Sequence, residues 1–130
     1  ALKYADTDGD GITDLVEIIQ NMGKKVIAVT CDDWQEAAGM NDCVEQSISE
    51  RYLSDRINHH WMKDGVTIHD PKNTWIGPFV TFGHDVVIYP GAYIFGHGRI
   101  GNHVSLLPGF YGRDVSIEDN TTVDPYTVMK

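Results

Sequence analysis

Bulky apolar side chains recur at a fixed step of six along the C-terminal half of the chain: Ile76, Phe82, Ile88, Ile94, Ile100 and Leu106. After one slip of register, Ile117 and Val123 resume the same step. Two residues before each of these stands a small or β-branched residue, from Thr74 and Val80 through Ala92 and Gly98 to Thr121. Turn formers fill the gaps, among them Gly77-Pro78, Pro90-Gly91, Gly101-Asn102 and Pro108-Gly109. A step of six matches neither the 3.6-residue period of a helix nor the two-residue period of a flat strand. It matches short strands broken by corners, three to a coil, each sending one large side chain inward. The pattern predicts a left-handed parallel β-helix of hexapeptide repeats over residues 66–130, about three and a half coils, with residues 18 apart stacked. Their separation is one strand spacing, about 4.8 Å. A β-sandwich of short strands is the competing reading, and six consecutive hits at one spacing weigh against it.

The rest of the chain has a helical period. Val44, Ile48 and Tyr52 step by four, as do Leu53, Ile57 and Trp61, which predicts a helix with one broad apolar stripe. Asp42 is placed as its N-cap with Glu45 in capping-box position, and Gly65 closes it. Residues 43–65 thus read as a linker helix, an arm of about 30 Å joining two parts. Upstream, the acidic loop Asp6–Asp14 leads into a second helical pattern with Leu15, Ile18, Ile19 and Met22 on one face, closed by Gly23. Val26–Cys31 is a short β-branched run that reads as a buried strand. Residues 1–42 are therefore expected to be a small α/β remnant, and the whole chain a mixed fold.

Composition narrows the function classes. Ten basic against 19 acidic residues give a formal charge of −9, which disfavours nucleic acid and anionic lipid as partners, since both need a basic surface. No apolar run approaches the roughly 20 residues of a membrane helix. Cys31 and Cys43 make no disulfide framework and read as free thiols, with a single bridge left open. The chain starts at Ala1 and stops inside the repeat, so a segment of something longer is expected, with coils, a partner chain or a truncation beyond Lys130.

Several stretches together resemble one enzyme family. Gly39-Met-Asn-Asp42, Arg56-Ile-Asn58, Trp61-Met62, Gly65-Val-Thr-Ile-His-Asp-Pro71 and Thr74-Trp-Ile76 are similar to the bacterial bifunctional N-acetylglucosamine-1-phosphate uridyltransferase/glucosamine-1-phosphate N-acetyltransferases. The same holds for Thr13-Asp-Leu-Val-Glu-Ile18. The resemblance runs from about residue 12 to the end and is specific between Asn41 and Ile76; hexads alone are common to many acyltransferases. It implies a cytoplasmic enzyme that trimerises through its β-helix and makes UDP-N-acetylglucosamine for cell-wall biogenesis. It also implies that Asn41 contacts the sugar nucleotide and helps hold Mg²⁺, although as a residue it reads equally as one that caps the following turn. The family's Gly-rich nucleotide loop, first metal-binding Asp and acetyltransferase residues have no counterpart here. The chain is expected to hold scaffold and a pocket edge but neither complete active site, and no catalytic residue is assigned.

Where that family has a sugar-contacting loop, this chain has a string of the form D-x-D-x-D-G-x₅-E. Asp6, Asp8, Asp10, the Ile12 carbonyl, Asp14 and Glu17 would together supply the oxygens of a Ca²⁺ loop. Only five residues precede Asp6, too few for an EF-hand's first helix, and a solvated loop facing a helix N-terminus is the plainer reading. A free-standing trimeric β-helix module with a calcium-bound loop is thus the alternative function, and an acyltransferase holding CoA between chains is a third. Of six histidines, His84, His97 and His103 fall at corners, and no two are 18 apart. They read as corner residues, with intersubunit zinc left open, and His59-His60 point different ways from one helix. The aromatic residues read as packing and interface groups.

Overall fold

A computed structural model describes residues 13–27, 29, 30, 33 and 40–130. The chain divides into two compact units, residues 1–37 and 38–130.

In the first unit, α1 spans Thr13–Asn21. It ends as Gly23 predicts. This glycine adopts φ +71, its N–H donates to the Gln20 carbonyl, and the Lys24 N–H donates to that of Ile19, so the last carbonyls are satisfied. The strand expected at Val26–Cys31 is not found among the described residues. Val26, Ile27, Val29 and Thr30 have no strand structure and are exposed, Val29 by 88%. A β-branched run becomes a strand only by pairing, and no second strand lies among this unit's described residues to pair with it.

The second unit opens with α2, Cys43–Lys63. Asp42 is its N-cap, accepting from the N–H groups of Val44 and Glu45, both at 2.8 Å. The Glu45 carboxylate reaches back to the Asn41 N–H at 2.7 Å, one residue earlier than a standard capping box would place it. Eleven short strands follow: β1 (Thr67–Ile68), β2 (Trp75–Ile76), β3 (Thr81–Phe82), β4 (Val87–Ile88), β5 (Tyr93–Phe95), β6 (Arg99–Ile100), β7 (Ser105–Leu106), β8 (Tyr111–Arg113), β9 (Ser116–Ile117), β10 (Thr122–Val123) and β11 (Val128–Met129). They form three parallel faces, β1-β4-β7-β10, β2-β5-β8-β11 and β3-β6-β9. This is the left-handed parallel β-helix that the hexads predict.

The inward ladders run Ile76 to Ile94, Phe82 to Ile100 and Ile88 to Leu106. Ile88, Ile94 and Leu106 are wholly buried, each contributing about 1.5–3 kcal/mol relative to exposure. Their small partners Val86, Ala92 and Val104 are equally buried. The first rung is longer, since Thr67 pairs with Val87; a 3₁₀ turn at Pro71–Asn73 takes up the extra residues.

The slip of register has a physical cause. Ile94 pairs with Gly112, so a glycine stands where a large side chain is due. The fully buried Phe110 fills that space from the position normally held by a small residue. A Cβ on Gly112 would come within 2.8 Å of the Phe110 ring. The next corner is one residue shorter, and Arg99 accordingly pairs with Ser116.

Candidate functional site

The root of α2 is where the structure departs most from the expected apolar stripe. Val44, Ile48 and Leu53 are exposed by 66%, 57% and 49%, while Ser54 and Asn58 are buried. Of the stripe, only Ile57 and Trp61 pack on the core, Trp61 meeting Phe82 edge-on at 5.0 Å. The reason lies in the first coil. Its turn leaves the carbonyls of Pro71 and Thr74 turned toward the helix, and buried carbonyls need donors.

Asn58 Nδ2 donates to both, at 2.8 and 2.9 Å. Ser54 Oγ donates to the Thr74 carbonyl at 3.4 Å. Arg51 Nη1 donates to the Lys72 carbonyl at 2.7 Å, and its guanidinium lies 4.3 Å from the centre of the Trp75 ring. The wholly buried Thr74 in turn donates from Oγ1 to the Asp70 carbonyl at 2.8 Å. Residues 51, 54 and 58, spaced by three and four, therefore form one polar face that fastens the helix to the prism. Sequence reasoning missed this face. The i, i+3, i+7 run of side chains able to donate was its signal.

The head of α2 carries Asn41. It is exposed and borders an open groove of about 610 Å³ together with Met40, Gln46, Glu50 and Leu53. Its backbone N–H is engaged by Glu45, so Asn41 helps to form the helix cap whatever else its amide meets. The fit to Mg²⁺ is limited to one ligand. An amide oxygen is a suitable hard donor, but Mg²⁺ takes six oxygens with charged groups among them. The Asp42 Oδ1 beside it is committed to two N–H groups. Among the described residues no group of three His, Cys, Asp or Glu side chains stands close enough to hold a metal ion.

The proposed calcium ligands Asp6, Asp8, Asp10 and Ile12 lie outside the described residues. Asp14 and Glu17 fall within α1, with Glu17 exposed. Cys43 is exposed and unbridged, and Cys31 lies outside the described residues. The corner histidines have separate neighbours: His97 stacks on Phe79 with ring centres 5.1 Å apart, and His103 Nδ1 lies 3.5 Å from Asp85.

The corners are built on side chains that accept N–H groups from the preceding coil. The His84 N–H donates to Asn102 Oδ1 at 2.9 Å, and the Asn102 N–H donates to Asp119 Oδ1 at 2.7 Å. Asn102 Nδ2 also donates to Asp119 Oδ2 at 3.0 Å. At another corner, the His97 N–H donates to Asp114 Oδ1 at 2.8 Å. These bonds hold the Asp119 carboxyl below the usual carboxylate range, the Asn102 backbone bond contributing most. A Cβ on Gly83 or Gly101 would collide with the accepting oxygen, which explains the glycine before each of these corners.

The chain is similar to curated proteins called "Bifunctional protein GlmU". It is 38% identical to that of Thermodesulfovibrio yellowstonii over 119 residues, covering 92% of this chain and 26% of the relative. It is 44% identical to that of Bacillus subtilis over 85 residues, or 65% of this chain and 19% of the relative. Over this segment the chain belongs to the GlmU family. The likeness to the protein of Clostridium beijerinckii is 32% over 147 residues, covering 98% of this chain and 32% of the relative. No family model matches. The chain spans about a quarter of the length of the GlmU proteins it matches. This kinship favours an enzyme's segment over the free-standing scaffold with a calcium loop. Among the described residues, no helix is long and apolar enough to cross a membrane.

Proposed function

We propose that this chain is a segment of a UDP-N-acetylglucosamine-forming uridyltransferase/acetyltransferase, carrying scaffold and one edge of the nucleotide pocket but neither complete active site. The match of 92% of the chain to GlmU carries this reading. The polar fastening of α2 supports it: a helix held rigidly on a β-helix can carry Asn41 at a fixed place. Asn41 would give one neutral oxygen to Mg²⁺, which neutralises phosphate charge during transfer, and would meet the sugar nucleotide from the same side. The setting is the cytoplasm, and the β-helix joins three copies.

Incubated with UTP, N-acetylglucosamine-1-phosphate and Mg²⁺, the chain is expected to release no pyrophosphate. Measurable turnover overturns the reading. Light scattering is expected to give about 43.5 kDa, three times the 14.5 kDa protomer; a mass of one protomer removes the trimer. Calcium at Asp6–Glu17 is a separate proposal, tested by calorimetry: sub-millimolar binding abolished by Asp10→Ala supports it, and no heat at millimolar Ca²⁺ ends it.

A further inference from the structure

The corner running through residues 84, 102 and 119 is a relay, because its middle member serves both neighbours in one orientation of its amide and not in the other. Asn102 has one amide oxygen and one amide nitrogen. The oxygen takes the His84 N–H, and the nitrogen faces Asp119. Asp119 receives two donors from Asn102, one from the backbone and one from the side chain. An ionised carboxylate accepts from both on two full acceptor oxygens, whereas a protonated one turns one oxygen into an O–H donor and leaves it a weak acceptor. The orientation of Asn102, and with it the bond to His84 in the preceding coil, therefore follows the charge on Asp119.

We infer that this corner is an acid-sensitive latch: protonating Asp119 releases Asn102, which then turns and lets go of His84. The other charged groups acting on Asp119 are His103 and Arg99, and both favour its ionised form. His103 also faces Asp85, at 3.5 Å. The sign follows from the direction of the Asp119 shift. A carboxyl held below its unfolded value stabilises the corner above the ordinary carboxylate range, and this contribution is lost as pH falls through the folded value.

The test is amide hydrogen exchange on the full chain, expressed as protection relative to intrinsic rates, from pH 7 down through the carboxylate range. The His84 and Asn102 amides are expected to lose protection together. The Val87 amide, which donates to the Val104 carbonyl inside the adjacent face, is expected to keep its own. Asp119→Asn retains an acceptor for the Asn102 N–H but places an amide nitrogen opposite another. In that variant His84 is expected to show its weak, acid-type protection at every pH, and Asn102 to show no pH dependence. The inference is overturned if Val87 falls with the corner, if only one of the two amides responds, or if the transition survives in Asp119→Asn.

Discussion

The helix and the prism of the second unit solve burial in opposite ways. In the prism, every inward position between Ile76 and Ile117 is apolar or glycine, and Ile88, Ile94 and Leu106 lose all contact with solvent. In α2 the buried side chains are Ser54 and Asn58, while Val44 and Ile48 face outward. A closed coil stack satisfies its backbone internally, so its interior can be wholly apolar. The first coil has no coil above it. Its carbonyls need donors, and that demand overrides the amphipathic rule for the helix that covers it. Burial at the end of a repeat is decided by hydrogen bonding, and burial within it by volume.

Mutations can break or sharpen this contrast, and the largest effect belongs to the prism. Leu106→Ala is expected to destabilise the fold by about 3 kcal/mol in urea unfolding, as a wholly buried side chain leaves a cavity in a stack that cannot collapse. A loss below about 1 kcal/mol would mean that the coils are loosely packed. Asn58→Ala comes next, at about 2 kcal/mol, since it strips a donor from two carbonyls. If Asn58→Leu proves as stable as the parent in the same experiment, the polar fastening is not what holds the helix.

Gly109 and Tyr126 sharpen the picture on a smaller scale. Both have positive φ at the same corner of successive coils, and a Cβ on Gly109 would lie 2.5 Å from the Tyr126 ring. Gly109→Ala is expected to lower the melting temperature through about 1–2 kcal/mol of backbone strain and clash. In a Tyr126→Gly background the same change should be milder, and equal losses would show that the ring is not the obstacle. The smallest effect is expected from Ile48→Ser, within about 0.5 kcal/mol of the parent by thermal unfolding, because the side chain is already in water. A larger loss would restore the apolar stripe as a structural face.

The prism was legible because it repeats: six hits at one spacing constrain the geometry more tightly than any local propensity. The caps of α2 were legible for the same reason that caps usually are, in that Asp42 and Glu45 act on backbone only two to four residues away. The docked face of α2 was not. The run of donors at 51, 54 and 58 does not by itself say what it meets; the accepting carbonyl of Pro71 lies on a turn 13 residues beyond Asn58. The strand expected at Val26–Cys31, not found among the described residues, depends in the same way on distant partners. At the candidate site, Asn41 was found through family resemblance, and the structure adds its part in the cap. The Asx corners escaped sequence reading because donor and acceptor lie 17 or 18 residues apart.

Phe110 and Gly112 carry one further lesson. Because the ring of one occupies the room denied to the other, the pair behaves as a single inherited unit. Gly112→Ile alone would overfill the interior and Phe110→Ala alone would hollow it, whereas the two changes together would recreate the arrangement found at Ala92 and Ile94. Coils of this protein can be exchanged or grafted only if both halves of that trade travel together.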